Sequence, residues 1–380
     1  IGGRRDSSGM EGEAASMADP GGGRIIIGTP CHAEAMTVVF KGRSARVLLA
    51  LLGLALAVLA WGWYSFRVAP LTFAASPVRY TVAKGANVRT IAAGLRQQGI
   101  AISPTRLWLW YRLRGYDGRL KAGTYAFAAP LTVDELLGKL VRGDVLMTEI
   151  RFVEGWTFRQ MREAIDANPD LVHDTRGVDE AELLRRVGAS VARSVDASVD
   201  RAEGLFFPDT YAFSPGASDL EIYRQAHRRL QQALQAAWDA RTGQLPYRDP
   251  YEALVMASIV EKETGHVDDR GKVAAVFVNR LRRGMLLQSD PTTIYGLGER
   301  FDGNLRKRDL QADTPYNTYL RPGLPPTPIA LPGKASIEAA LRPADVSALY
   351  FVSRGDGTSE FSDDLPSHNR AVSRYQRGGR

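Results

Sequence analysis

Residues 251–264 read YEALVMASIVEKET, a segment that is apolar on nearly every face before it ends in charged side chains. A helix that is apolar all round belongs in a protein core, so this segment predicts a buried helix. Gly265 stands where a glycine commonly caps the carboxyl end of a helix. Residues 273–281, VAAVFVNRL, predict a second buried helix soon after the first. The core of this region is therefore expected to be helical.

The charged end of the first helix carries two candidate acids, Glu261 and Glu263. In the last turn of a buried helix, the negative end of the helix dipole and the apolar surroundings both disfavour an ionised carboxylate. Both effects raise the pKa, which suits a general acid working near neutral pH. The alternative is a structural carboxylate that pairs with Lys262 or Arg280, or one that is simply exposed at the helix end. The residues alone do not distinguish Glu261 from Glu263.

Two segments that follow supply further polar and aromatic groups. Residues 284–296 read GMLLQSDPTTIYG, and residues 313–333 read DTPYNTYLRPGLPPTPIALPG. So many prolines exclude a helix or a sheet interior but allow a rigid extended loop. That loop would carry Tyr316, Asn317 and Tyr319, and it is a candidate wall for a sugar-binding groove. The alternative is a connection that wraps the surface.

The upstream half mixes short strands and helices. A strand, a glycine turn and a helix occur twice, so that Gly85 matches Gly155 and Ile91 matches Met161. The first copy, a strand at 121–127 and a helix capped by Thr132 predict a small α+β unit over about residues 78–147. Further along, residues 203–211 read EGLFFPDTY, and a helix is expected over about 219–240. The fold class predicted for the chain is α+β.

Residues 47–66 read VLLALLGLALAVLAWGWYSF and contain no charge. A helix of that length spans about 30 Å, the hydrocarbon thickness of a bilayer. Aromatic residues gather at its carboxyl end, and Lys41, Arg43 and Arg46 precede it, so the positive-inside rule places the N-terminus in the cytoplasm and the rest outside. The alternative is a cleaved signal peptide.

Residues 1–46 are expected to form a disordered cytoplasmic tail, because residues 1–35 are rich in Gly, Ser and Ala and show no periodicity. We hypothesise that the native chain begins at Met36. A peptide of the native protein that maps upstream of Met36 would refute this.

Composition narrows the function classes. Of 380 residues, 44% are hydrophobic and 24% charged, which excludes a wholly disordered protein. The net charge of +7 suits an anionic partner without choosing one. A single cysteine, Cys31, excludes an intramolecular disulfide framework, and the five histidines show no metal-ligand spacing, so no metal is expected. Nucleic-acid binding is disfavoured because the arginines are interleaved with acids and the folded part is expected outside the cytoplasm.

Several motifs resemble one family closely and in order. They are VEGWTF, KAGTYAF, EGLFFPDTY, ASIVEKET, KVAAVFVNRLRRGMLLQSDPTTIYG, TPYNTY, GLPPTPIALPG and YFVSRGDGTSEFSDDLPSHNRAV. From about residue 80 to residue 375 the chain is similar to the endolytic murein transglycosylases of the YceG-like family. Residues 67–147 resemble the LysM-like subdomain of that family, which leaves 148–380 as the expected catalytic domain.

The resemblance implies a catalytic glutamate at Glu263 and no cofactor. It implies cleavage of the MurNAc–GlcNAc β-1,4 bond in nascent peptidoglycan, with 1,6-anhydro-MurNAc ends as products. It also implies an inner-membrane enzyme with a periplasmic catalytic domain, which associates with peptidoglycan synthases. As groove residues that orient the sugar or stabilise charge we propose Gln288, Asp290, Tyr316 and Asn317.

Two functions from other classes stay open at this point. A hydrolytic muramidase would leave reducing ends in place of anhydro ends. A non-catalytic scaffold would bind peptidoglycan through the LysM-like subdomain and recruit wall synthases. The chemistry of the products distinguishes the muramidase, and unchanged strand lengths and division phenotype in a Glu263→Gln strain would favour the scaffold.

Overall fold

A computed structural model describes residues 42–189 and 201–377. Within these ranges the chain has the mixed α+β architecture predicted from the sequence. The helices are α1 Gly42–Arg67, α2 Val88–Gln97, α3 Pro104–Leu113, α4 Val133–Arg142, α5 Phe158–Asp166, α6 Glu180–Val187, α7 Asp219–Asp239, α8 Pro250–Glu263, α9 Val267–Arg282, α10 Asp290–Leu297, α11 Lys307–Leu310, α12 Lys334–Leu341 and α13 Leu365–Val372. The strands are β1 Val78–Val82, β2 Gly123–Phe127, β3 Thr148–Arg151, β4 Leu171–Val172, β5 Thr210–Phe213, β6 Ala217–Ser218, β7 Tyr350–Ser353 and β8 Ser359–Ser362.

The predicted membrane span at residues 47–66 lies within α1. The part of this helix from Ala45 to Arg67 is long and apolar enough to cross a membrane, which is consistent with a single-pass anchor. Most of the predicted tail, including Met36, lies outside the described residues. The chain separates into two compact units, Ile1–Trp61 and Gly62–Arg380. The domain boundary predicted near residue 148 stays a prediction.

The strands of residues 42–189 and 201–377 form four two-stranded sheets. Antiparallel pairs join β1 to β2, β3 to β5 and β7 to β8, whereas β4 and β6 pair in parallel. Such small sheets cannot supply the core alone, so helices must pack against them. One buried cluster lies between β1, β2 and helices α2–α4, and a larger one is built around α7–α9 and α12.

The repeat predicted around Gly85 and Gly155 is present in the backbone. Both glycines have a positive φ, +81° and +79°, which favours glycine because it lacks a Cβ. Two residues after each glycine, Asn87 or Thr157 caps the helix that follows. Ile91 and Met161, the positions matched in the sequence, are both fully buried.

The predicted buried helix at residues 251–264 is α8. Asp249 caps its N-terminus by accepting a hydrogen bond from the Glu252 N–H. Residues 253–260 are buried throughout, and α8 packs against α7, α9 and α12. This packing fixes the axis of α8 and therefore the place where its carboxyl end emerges.

The expectation that Gly265 caps α8 is wrong. Thr264 leaves the helix in an extended conformation, with φ −146° and ψ 130°, and the φ of Gly265 is not positive. The Thr264 hydroxyl accepts a hydrogen bond from the His266 N–H at 3.0 Å, and α9 begins at Val267. The chain therefore leaves α8 through an extended Thr264 and not through a left-handed glycine, and three residues connect α8 to α9.

The proline-rich loop carries no helix or strand over residues 311–333, as predicted. The buried hydroxyl of Ser258, on α8, accepts a hydrogen bond from the Ile329 N–H at 3.0 Å. Leu331 and the turn before α5 exchange two backbone bonds, from Gly155 N–H to Leu331 O and from Leu331 N–H to Trp156 O. These bonds hold the loop beside the carboxyl half of α8.

Candidate active site

Glu263 is the last residue of α8, and its half-buried side chain turns towards the segment that precedes α10. The Ser289 hydroxyl donates a hydrogen bond to Glu263 Oε1 at 2.5 Å. Burial raises the pKa of Glu263 to about 7, and the charge of Asp290 acts in the same direction. The Ser289 hydrogen bond and the charge of Arg280 oppose that rise. At neutral pH this carboxyl group can therefore both give and take a proton.

Glu261, the other acid at this helix end, has a different environment. Its Oε2 accepts the Gly333 N–H at 3.0 Å, and its Oε1 lies 4.0 Å from Arg270 Nη2. The Glu261 side chain is 7% exposed. Its oxygens hold the start of α12 and a buried arginine, which is a structural role. This geometry favours Glu263 over Glu261 as the acid.

Ser289 is held by a network of buried hydroxyl groups. Its N–H donates to Thr318 Oγ1 at 3.0 Å, and its carbonyl accepts from Thr292 Oγ1 at 2.7 Å. The hydroxyls of Thr292 and Thr318 lie 2.8 Å apart. All three side chains are buried, so the network fixes the position from which Ser289 reaches Glu263.

Gln288 lies directly before Ser289 and is exposed. Its φ is +52°, the one positive φ of a non-glycine residue in residues 42–189 and 201–377. Backbone strain of this kind persists only where the surroundings impose it, and it is common at functional sites. Here the Gln288 N–H donates to Thr318 O at 3.1 Å, and Gln288 Oε1 accepts from Arg280 Nη1 at 3.4 Å. The strained turn is thus tied to the network that orients Ser289.

Arg280, on α9, is a buried cation behind this turn. Its guanidinium donates to Leu349 O at 2.7 Å and Leu287 O at 2.8 Å, and it lies 5.2 Å from the centre of the Tyr350 ring. Burial lowers the pKa of Arg280, although an arginine in this state still carries its charge at neutral pH. Its charge favours the ionised form of Glu263.

Asp290 is the first residue of α10, and its side chain is exposed. The Tyr319 hydroxyl donates to Asp290 Oδ1 at 2.5 Å. Burial, followed by the bond to Asp290, raises the pKa of Tyr319. The charge of Asp290 therefore acts on Glu263. The hydrogen bond from Tyr319 fixes the orientation of the Asp290 side chain.

The remaining two predicted groove residues differ from each other. Asn317 is fully buried, and its amide donates to Leu310 O and Ala312 O while its oxygen accepts from the Tyr319 N–H. Its hydrogen-bonding groups are used within the protein, so the prediction that Asn317 contacts sugar needs correction: it shapes the loop instead. Tyr316 is half-buried, bonds Thr327 at 2.8 Å and packs edge-on against Tyr295.

A cavity of about 910 Å³ lies between α5 and α10, which we call the α5–α10 cavity. Its wall includes Phe158, Glu203, Lys262, Pro291, Tyr295 and Tyr316. Glu263, Gln288 and Asp290 are outside that wall, but Lys262 precedes Glu263 and Pro291 follows Asp290. The end of α8 and the first turn of α10 therefore contribute both to the cavity wall and to the surroundings of the acid.

Glu203 is a second acid with an unusual environment, on the wall of the α5–α10 cavity. Its Oε1 accepts the Phe158 N–H at 2.9 Å, and its Oε2 accepts the Tyr295 hydroxyl at 3.1 Å. Burial raises the pKa of Glu203 to about 7. Because both oxygens are bonded within the protein, we assign Glu203 to holding α5 against α10.

Sequence reasoning did not select Ser289 or Glu203 as site residues, and it placed Tyr319 on the candidate groove wall without giving it a role. A serine before Asp-Pro is typical of a helix N-cap, which is a structural role. In the structure Ser289 occupies that position but makes no capping bond, since its hydroxyl is directed at Glu263. No local sequence pattern indicates that the Ser289 hydroxyl bonds to Glu263 and does not cap α10. The sequence signal for Tyr319 is its place in the proline-rich loop, two residues after Asn317.

Comparison with known proteins extends over most of the chain. The YceG-like family matches residues 80–374. An endolytic murein transglycosylase from Bacillus subtilis is 30% identical over 307 residues, which covers 78% of this chain and 84% of that protein. An endolytic murein transglycosylase from Streptococcus pneumoniae is 25% identical over 320 residues, which is 77% of this chain and 57% of that protein.

Among solved structures, a yceG-like protein from Listeria monocytogenes is 27% identical, with a TM-score of 0.49, and the match covers 78% of this chain and 99% of that one. The family match includes Glu263, at the end of α8, and Ser289, directly before α10. The chain belongs to the YceG-like family.

Proposed function

We propose that this chain is a lytic transglycosylase that cleaves the MurNAc–GlcNAc β-1,4 bond within peptidoglycan strands and leaves 1,6-anhydro-MurNAc ends. The observation that carries the proposal is Glu263, a half-buried carboxyl group with a pKa raised to about 7 and a hydrogen bond from Ser289. The two relatives named endolytic murein transglycosylase support the reaction class.

The reaction needs one carboxyl group that acts twice. Protonated Glu263 gives its proton to the glycosidic oxygen while the bond from C1 to that oxygen breaks, and the bonding electrons leave with the oxygen. Positive charge develops at C1 and its ring oxygen, as in other glycosidic cleavages. The Glu263 carboxylate then takes the proton of the C6 hydroxyl, whose oxygen closes onto C1. No water enters, and Glu263 returns to its protonated form.

The groups around Glu263 have proposed supporting roles. Asp290, whose charge acts on Glu263, would favour the positive charge that develops on the sugar. Gln288 is exposed beside the acid and would bond to sugar hydroxyl or amide groups. Tyr316 would form part of the wall of the α5–α10 cavity that faces the strand.

The cellular setting is part of the proposal. The apolar helix α1 would anchor the protein in the inner membrane, with residues 67–380 in the periplasm. Residues 67–147 would act as the LysM-like subdomain, and cleavage beside peptidoglycan synthases would end the elongation of nascent strands. Lys41, Arg43 and Arg46, which precede the uncharged run at residues 47–66, support this orientation.

The test is the length of the glycan strands that remain. The full chain in detergent micelles is incubated with uncrosslinked strands of known length, and the products are separated by chromatography. An endolytic enzyme shortens long strands to intermediate lengths from the first minutes. Release of disaccharides from the ends alone would contradict internal cleavage, and unchanged strands would favour a binding scaffold.

Ser289→Ala is expected to move the pH profile of strand cleavage to higher pH. The Ser289 hydroxyl stabilises the ionised form of Glu263 and lowers its pKa, so its removal raises that pKa. The protonated acid then persists to higher pH, and the alkaline limb of kcat/KM moves up by about one pH unit. Ser289→Thr keeps the hydroxyl and should keep the limb in place. An alkaline limb that moves down in Ser289→Ala would contradict this role.

A further inference from the structure

The wall of the α5–α10 cavity carries four cationic side chains, Arg159, Arg162, Arg201 and Lys262. Three acids, Glu180, Glu203 and Glu299, share the wall with them. Two wall residues adjoin the catalytic segment in the chain: Lys262 precedes Glu263, and Pro291 follows Asp290.

Ion pairs neutralise few of these cations. Lys262 Nζ donates to the Gly155 carbonyl at 3.2 Å, and Arg162 Nη2 donates to the Val178 carbonyl at 2.6 Å. Neither is in an ion pair in the part of the chain that the structure describes. Arg159 does pair with Glu299, at 3.1 Å, but both side chains are more than two-thirds exposed, and such pairs are weak.

Two of the three acids on the wall accept hydrogen bonds from neighbouring groups. Glu180 Oε2 accepts the Ala202 N–H at 2.7 Å, and both oxygens of Glu203 are bonded to Phe158 and Tyr295. Burial also raises the pKa of Glu203 to about 7, so this group is only partly charged at neutral pH. The wall carries four cations against three anions when Glu203 is ionised and against two when it is protonated, and this positive balance suits a ligand with carboxylates.

The wall also offers apolar surface. Pro291, Ile294 and Tyr295 lie on one face of α10, and Tyr316 packs against Tyr295 with ring centres 4.8 Å apart. A cavity of about 910 Å³ whose wall carries both apolar and cationic side chains is large enough for several amino acids. A strand stripped of its peptides keeps one lactyl carboxylate on each muramic acid, and a peptide adds further carboxylates for these cations to bind.

We propose that the α5–α10 cavity receives the acidic peptide that muramic acid carries on its lactyl group. Lys262, Arg162 and Arg201 attract the carboxylates of this peptide, and Tyr295 and Tyr316 contact its aliphatic parts. The peptide branches from the sugar whose C1 is attacked, and the cavity wall includes Lys262, the neighbour of Glu263 in the chain. The inference rests on the proposed function, since it names what accompanies the glycan at the same site.

The experiment measures binding, so that it does not depend on turnover. The full chain carrying Glu263→Gln is titrated with uncrosslinked strands that keep their peptides and with the same strands after an amidase has removed them. We expect peptide-bearing strands to bind about tenfold more tightly. With Lys262→Gln and Arg201→Gln added, the ratio of the two dissociation constants should fall towards one. Arg228→Gln, which removes an exposed arginine on α7 that is absent from the cavity wall, is the matched control and should keep the ratio.

Equal binding of both strands by the parent protein would overturn the proposal, as would a ratio that Lys262→Gln and Arg201→Gln leave unchanged. A melting temperature within roughly two or three degrees of the parent value shows that the variants are folded. Tighter binding of peptide-bearing strands without any cleavage by the native chain would instead contradict the proposed function. The two failures are therefore distinguishable.

Discussion

Glu263→Gln is expected to lower the rate of strand cleavage by roughly 10²–10⁴-fold and to leave the fold intact. Glutamine has the shape of glutamate but neither gives a proton to the glycosidic oxygen nor takes one from the C6 hydroxyl. The proposed reaction has no second carboxyl group to compensate. The Ser289 hydroxyl can still donate to the amide oxygen, so the local structure should persist. The rate of product formation by the full chain is the measurement.

Glu261→Gln is the matched control, two residues away on the same helix. Its carboxylate accepts the Gly333 N–H and lies near Arg270, so its loss should weaken the packing of α8 and α12. We expect a lower melting temperature with the cleavage chemistry retained at temperatures where the variant is folded. If Glu261→Gln abolished cleavage and Glu263→Gln did not, the assignment of the acid would be reversed.

Gly204→Ala is expected to lower the free energy of unfolding by roughly 2–4 kcal/mol. The φ of Gly204 is +76°, a region that side chains with a Cβ rarely adopt. An added Cβ would also overlap Pro328, approaching its Cγ to 2.6 Å and its Cβ more closely still. Pro328 belongs to the proline-rich loop that is held on α8, so it has little room to move. Both effects act against the folded state.

The control for this prediction is Gly243→Ala. Gly243 has nearly the same φ, +71°, but a Cβ there meets nothing within 4 Å. Its substitution should show the backbone effect alone, about 1 kcal/mol. Urea unfolding of both variants and the parent gives the two differences. Equal losses of unfolding free energy in the two variants would show that the overlap with Pro328 does not destabilise the folded state.

Much of the fold follows from local patterns. The helices α7 and α8 begin and end within one residue of the segments that periodicity and polarity predict. Their apolar faces and capping residues lie within the same few turns, so tertiary structure adds little to the assignment. The direction of the Glu263 pKa shift also follows from its place at the end of a buried helix, and burial is its largest cause.

The partners of each acid could not be predicted in the same way. Glu261 and Glu263 are two residues apart, and what separates their roles is Gly333, 72 residues from the first, and Ser289, 26 residues from the second. Asn317 was assigned to the groove because an amide in a rigid loop suits sugar binding. Its full burial depends on how residues 310–319 fold back on themselves, which no short-range pattern reports.

The most direct test of the account is the composition of the new chain ends. The full chain and its Glu263→Gln variant are incubated with uncrosslinked strands in water enriched in oxygen-18, and the products are weighed by mass spectrometry. We expect 1,6-anhydro ends without the heavy isotope, product masses that sum to the mass of the strand, and no such products from the variant. Reducing ends that carry one oxygen-18 would mean that water attacks C1, and the central claim would then be wrong.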